Sequence, residues 1–173
     1  METKRNTKTS GLRHVGNTLD KNGLTLAIAE SCTGGLLSNL ITNAPGSSRY
    51  FIGGVVAYDN KVKVGLLGVS ESTLKRWGAV SMETAVEMAV GVKGLLKSDV
   101  SVGITGIAGP SGGTRDTPVG TVCVAVDFKG ETIVKRFRFN GTRLEIKRLA
   151  ARSTLDMLRE CLLKSVANIA PEG

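Results

Sequence analysis

Apolar positions along the chain recur with two periods, and the change from one to the other marks out the elements. Leu12, Val15 and Leu19 are spaced by three and four, which predicts a helix over 10–22 closed by Gly23. The run Leu24-Thr25-Leu26-Ala27-Ile28 reads as a buried strand over 24–30, and Leu36, Leu37, Leu40 and Ile41 predict a helix over 35–43. A turn cluster over 43–48 precedes a β-like stretch from Tyr50 to Tyr58 and a short helix over 60–67. Ser70 caps a helix that runs to Trp77 and stops at Gly78, and Ser81 caps another over 82–97. Val100 to Thr105 is a short apolar strand, and 106–118 a long irregular loop. Val119–Phe128 and Glu131–Phe139 alternate around Lys129-Gly130, as an antiparallel hairpin does. A last helix opens at Gly141-Thr142 and reaches about Val166, with Leu144, Leu149, Leu155, Leu158 and Leu162 towards the core.

This order predicts an α/β fold: a three-layer α/β/α sandwich with a mixed, mostly parallel sheet of about five strands. Residues 1–9 are polar and basic and are expected to fray, leaving one domain over 10–168. Strands 24–30 and 100–105 are expected to lie parallel. Their carboxyl ends then bring Ser31 and the 106–113 loop to one sheet edge, where open α/β sheets bind ligands.

Composition narrows the function classes. The formal net charge is +8, drawn largely from the N-terminal residues and the last helix. A basic balance suits nucleic acid, a membrane surface or an anionic small substrate. Aromatic residues are only 4% of the chain, which leaves no stacking platform for single strands, so no nucleic-acid partner is expected. No apolar run reaches transmembrane length and no signal peptide opens the chain, so a cytoplasmic protein without a membrane partner is expected. Cys32, Cys123 and Cys161 are widely spaced, with no CxxC, and His14 is the single histidine. Neither a disulfide framework, a metal site nor a Ser-His-Asp triad follows from these. His14 is expected on the surface of the first helix.

The strand-to-helix corner Glu30-Ser31-Cys32-Thr33-Gly34-Gly35 gathers a carboxylate, hydroxyls and a thiol where unpaired helix N–H groups favour anions. Ser31 needs a base, and without a usable histidine the bases available are Lys, Glu or Asp. Lys61 and Lys63 follow the strand ending at Tyr58. Two residues apart on a helix, at most one of them faces a site. Cys32 is a rival nucleophile, because a helix N-terminus lowers a thiol's pKa; a small buried filler is its other reading. The loop Gly106-x-x-Gly109-x-x-Gly112-Gly113 is neither GxGxxG nor a P-loop, though its N–H groups suit a phosphate.

The corner has companions in order. They are Pro45-Gly46-Ser47-Ser48-Arg49-Tyr50-Phe51, Tyr58-Asp59-Asn60-Lys61-Val62-Lys63, Gly78-Ala79-Val80-Ser81, and Gly103-Ile104-Thr105-Gly106 running on to Gly113, with Pro118-Val119-Gly120-Thr121-Val122. Together, over about residues 12–165, they resemble the CinA carboxy-terminal domain family, the nicotinamide-nucleotide amidases. The resemblance is to the stand-alone amidase, without the amino-terminal molybdopterin-binding-like domain of many members. It implies hydrolysis of the carboxamide of nicotinamide mononucleotide to nicotinate mononucleotide and ammonia. It implies Ser31 as nucleophile, Lys63 as base and Tyr58 hydrogen-bonded within that pair. It implies no metal or cofactor. The only partner expected beyond the pyridine mononucleotide substrate is a second copy in a homodimer. Substrate contacts are expected from Glu30, Cys32, Thr33, Gly34, Ser48, Asn60, Thr105, Gly106, Gly109, Gly112, Gly113 and Arg143. Amides near Cys32-Thr33 or Ser48 are expected to face the oxyanion, and the 105–113 loop and Arg143 the phosphate. For Glu30, capping, orienting and ligand binding all fit. Asp59 stands where the family commonly has Ser, and Lys61 where it has an acidic or neutral residue.

Overall fold

The computed structural model describes the backbone of residues 6–167 and the side chains of residues 11–164. The elements are α1 (Asn6–Lys21), β1 (Leu26–Glu30), α2 (Leu36–Thr42), β2 (Phe51–Val56), α3 (Asn60–Leu67), α4 (Glu71–Trp77), α5 (Met82–Leu96), β3 (Val100–Gly106), β4 (Thr121–Phe128), β5 (Glu131–Arg138) and α6 (Arg143–Ala167). The strands form one sheet in the order β2-β1-β3-β4-β5. β1 runs parallel to both β2 and β3, whereas β3–β4 and β4–β5 are antiparallel.

The expected sandwich is therefore present with one adjustment: parallel and antiparallel pairings are equal in number, so the sheet is not mostly parallel. The connections explain this. Helices link β1 to β2 and β2 to β3 and carry the chain back to the end where it started. The 107–120 connection contains no helix, so β4 begins at the end where β3 stops and must run the other way.

The two faces of the sheet differ in side-chain size. Leu26 and Ile28 of β1, Val102 and Ile104 of β3, and Val122, Val124 and Val126 of β4 point into a core shared with α1, α2 and α6. The alternate positions Ala27, Ala29, Cys123 and Ala125 point to α5 and its neighbours α3 and α4. Small residues on both sides, including Ala85 and Ala89 of α5, let that helix lie close to the sheet. The tightest approach is at Gly103, where a Cβ would lie 2.2 Å from the Ala85 carbonyl oxygen.

Several boundaries shift from the sequence-based expectation. α1 begins at Asn6, ahead of Ser10; the rest of the expected frayed tail, residues 1–5, lies outside the described residues, as does the end of the expected domain at residue 168. β2 ends at Val56, which leaves Tyr58 in the loop before α3. Ser70 and Ser81 cap α4 and α5 through their side chains, as expected. Leu144 and Leu149 are exposed, not core-facing: Ile146, Ala150, Ala151, Leu158 and Leu162 form the buried stripe of α6. His14 is exposed on α1, as expected. No described helix is long and apolar enough to cross a membrane.

Gly103→Ala should lower stability by about 3 kcal/mol, because the backbone of α5 at Ala85 and Ala89, not the end of a movable side chain, meets the new methyl. Urea denaturation measures this. A loss under about 0.5 kcal/mol would mean that α5 moves away from the sheet at little cost.

Candidate active site

β1 ends at Glu30, and the next five residues turn the chain into α2. Ser31 N–H still bonds the β3 carbonyl of Ile104 at 2.9 Å, so the serine is held in line with the sheet. Gly34 and Gly35 then adopt φ of 63° and 91°, a left-handed path that a side chain would strain. Gly35, the residue before α2, has no side chain to cap the helix. Glu30 does so from below. Its carboxylate accepts from Leu37 N–H at 3.0 Å, from Ser38 N–H at 2.8 Å and from Ser38 Oγ at 2.7 Å, and the residue is 1% exposed. The corner is thus tied at both ends. Two of the free N–H groups of α2 that made it look like an anion site, those of Leu37 and Ser38, are already occupied by Glu30.

Lys63 lies on the buried side of α3 and is 2% exposed, an unusual position for a lysine. Its Nζ donates to the carbonyls of Ala57 at 2.9 Å and Tyr58 at 3.2 Å. Burial holds its pKa below the usual lysine value; the carboxylate of Asp59, and more weakly Cys32, oppose that shift. Lys61, on the same helix, is exposed. Of the two lysines, only Lys63 faces inward. Among the described residues no hydrogen bond joins Nζ to Ser31 Oγ, but both residues line one cavity of about 240 Å³.

The cavity lies beyond the carboxyl ends of β1 and β3. Ser31 and Cys32 line one part of it, Tyr58, Asn60 and Lys63 a second. Thr105 and Gly106 border it from the end of β3, Gly109 and Gly112 from the loop that follows, and Arg143 from the start of α6. The Tyr58 hydroxyl accepts from Arg143 at 2.7 Å, and the other arm of that guanidinium bonds the Gly109 carbonyl at 2.6 Å. Tyr58 therefore holds Lys63 through its main-chain oxygen, while its hydroxyl clips α6 to the rim. The expected side-chain bond within the Ser31–Lys63 pair is not formed.

Cys32 lines the cavity with its thiol buried. Burial pushes its pKa up to about 12, with Glu30 adding to the effect and Lys147 and Lys63 opposing it. The sulfur packs against Gly106, which fits the filler reading and not the nucleophile reading.

Other expected contacts fall outside the cavity. Glu30 is committed to α2. Thr33 is fully buried, and its hydroxyl has no hydrogen-bond partner among the described residues. Gly34 faces Lys147, and Gly113 packs on Val119. Ser48 is exposed in a 3₁₀ turn over Ser47–Arg49, which Arg49 fastens to Asp20 of α1 at 2.9 Å. Ile107, Ala108 and Ser111 of the expected 105–113 loop, together with Ala79 and Val80, which carry no reactive group and were not expected, complete the wall. Thr105 Oγ1 anchors that wall by donating to the Ala79 carbonyl at 2.6 Å. The sequence signal for Ala79 and Val80 was their place between two helix caps, in the segment Gly78–Ser81.

A buried lysine and a serine sharing a cavity at the carboxyl edge of a mixed sheet define an α/β domain with a candidate nucleophile and base. Comparison with known proteins gives the family. Residues 8–162 match the CinA C-terminal domain, and the chain belongs to that family. It is 48% identical over 152 residues to a CinA-like protein of Desulfotalea psychrophila, covering 88% of this chain and 37% of that one. It is 54% identical over 138 residues to a CinA-like protein of Thermotoga maritima, covering 80% and 34%. The chain thus spans little more than a third of these relatives' length. The crystal structure of the competence/damage inducible protein CihA of Agrobacterium tumefaciens superposes with a TM-score of 0.85 at 37% identity, covering 88% of this chain and 93% of that one. A CinA superfamily protein of Escherichia coli gives 0.86 at 33% identity, covering 94% of each.

Glu30→Gln should destabilise the fold by about 2 kcal/mol, because the amide NH₂ would face helix N–H donors and leave at least one without an acceptor. Thermal or urea unfolding reads the change, and a variant as stable as the parent would refute the capping assignment.

Proposed function

We propose that the chain hydrolyses the carboxamide of a pyridine mononucleotide, nicotinamide mononucleotide, to the carboxylate and ammonia through an acyl-enzyme on Ser31. The observation that carries this reading is the arrangement of Lys63. A neutral amine has two N–H donors and one lone pair. The carbonyls of Ala57 and Tyr58 take two donors, so the lone pair remains for a proton from within the cavity that Ser31 also lines. Burial favours that neutral form.

Ser31 Oγ attacks the carboxamide carbon as its proton passes to Lys63 Nζ. The tetrahedral intermediate collapses with cleavage of the C–N bond, and Lys63 returns the proton to the departing nitrogen as ammonia leaves. Water then attacks the ester, its proton goes to Lys63 and from there to Ser31 Oγ, and the carboxylate is released. Ser31 and Lys63 need a closer approach than they show here, and catalytic hydrogen bonds of this kind tighten when substrate binds. The N–H groups of Cys32 and Thr33 have no carbonyl partner among the described residues and follow Ser31 directly, which makes them the donors proposed for the developing oxyanion. Arg143 uses two of its five donors on Gly109 and Tyr58, which leaves three for the substrate phosphate at the cavity mouth.

An ammonia-release assay with nicotinamide mononucleotide tests the reaction. Ser31→Ala and Lys63→Ala should each cut turnover by about 10³-fold or more, and Cys32→Ala should retain it. Full activity in Ser31→Ala would exclude the serine as nucleophile. A binding-only reading draws on the absent Ser31–Lys63 hydrogen bond. Tight binding of the mononucleotide without ammonia release across about pH 6 to 9 would establish it instead.

The base hypothesis also fixes the sign of a pH effect. Lys63 must be neutral to accept a proton, so kcat/KM should rise with pH through its depressed pKa, below the ~10.4 of an unperturbed lysine. Asp59 favours the ammonium form. Asp59→Asn keeps the side-chain cap on Lys61 N–H but removes the charge, so the rising limb should move to lower pH. A limb that stays in place or moves upward would contradict Lys63 as the titrating base.

A further inference from the structure

The cavity of about 240 Å³ is at the small end for a ligand site, so a nucleotide reacting there extends beyond its mouth. On the α3 side that mouth is bordered by Asn60, which also lines a second groove of about 420 Å³ between α3 and α4. The groove and the cavity are therefore neighbours that share Asn60 as a common border. Val64 and Leu74 are its half-buried apolar surface, and Lys61 and Glu71 are its charged residues. Gly65 leaves it open: a Cβ there would meet no atom within 4 Å. Neither Lys61 nor Glu71 has an ion-pair partner among the described residues.

We infer that the cavity and the α3–α4 groove form one bipartite site that binds a two-ringed pyridine–purine dinucleotide, with the second ring over Val64 and Leu74. This rests on the amidase reading for the first ring. The charges orient the second half. A phosphate belongs beside Lys61, next to Asn60 and the cavity mouth, and is repelled by Glu71. A base carrying an exocyclic amine suits Glu71, whose carboxylate accepts from it. The flat ring has room because position 65 carries no side chain. Turnover of the bound amide depends on its reach to Ser31.

The test uses Ser31→Ala protein, in which bound ligand is not consumed, titrated calorimetrically at fixed salt with nicotinamide mononucleotide and with nicotinamide adenine dinucleotide. Two further substitutions are added separately. Gly65→Trp fills the groove and favours the helix, and Lys61→Glu reverses the charge. Each should weaken the dinucleotide about tenfold and leave the mononucleotide within about twofold. Circular dichroism confirms folding, and Lys61→Glu decides the matter if Gly65→Trp does not fold. The bipartite site is refuted if the dinucleotide fails to bind where the mononucleotide does, if both substitutions leave its affinity unchanged, or if they weaken both ligands alike. In each of those cases mononucleotide binding and ammonia release by the parent protein leave the amidase reading standing. If neither ligand binds, both readings fall.

Discussion

The structure depends on a buried carboxylate at the end of its central strand. Glu30 replaces the water that the first amides of α2 would otherwise need, and those amides with Ser38 Oγ supply the hydrogen bonds that a buried carboxylate requires. Neither partner is tolerable at that depth without the other. Because the bond bridges seven and eight residues, it also closes the loop between them. Ser31 is thereby held between a strand on one side and a capped helix on the other, with two left-handed glycines taking up the change of direction. The candidate nucleophile is thus given fixed support by an acid that does not line the cavity.

The second buried charged residue is treated in the opposite way. Lys63 is met by carbonyl dipoles, and among the described residues no carboxylate forms an ion pair or hydrogen bond with its Nζ; Asp59 acts on it from the start of α3 through its charge alone. A full ion pair would have kept the ammonium charged. Two carbonyls hold the amine in place while burial lowers the cost of losing the proton. The same loop supplies both functions, since Ala57 and Tyr58 hold the lysine and the Tyr58 hydroxyl holds Arg143. The rim of the cavity and the position of the candidate base are thus mechanically linked.

The unequal faces of the sheet set the shape of the cavity. The α5 face is built from small residues, so α5 and the segment before it lie close to β3. That closeness lets Thr105 reach the Ala79 carbonyl and bring Ala79 and Val80 into the wall. Larger residues on the other face keep α1, α2 and α6 farther out, and Arg143 at the first turn of α6 reaches across to the loop.

Much of the fold was legible in the sequence because periodicity reports which face of an element is buried. The element order, the caps Ser70 and Ser81, the hairpin and the parallel pairing of β1 with β3 follow from that signal. So does the meeting of Ser31 with the glycine-rich loop, which strand direction alone dictates. Spacing limited Lys61 and Lys63 to one inward residue, but not to which one, since that depends on where β2 and α5 sit. Glu30, Thr33, Gly34, Gly113 and Ser48 lie in the right segments yet outside the cavity, and Ala79 and Val80 lie inside it without reactive groups to signal them. Periodicity and residue type by themselves determined the layers, the sheet edge at which Ser31 meets the glycine-rich loop, and a set of candidate residues there. Tertiary structure alone decided which of them were used for support, because hydrogen-bond partners and desolvation are properties of neighbours distant in the chain. That is why Glu30 proved to be the cap of α2 and Lys63 the buried amine.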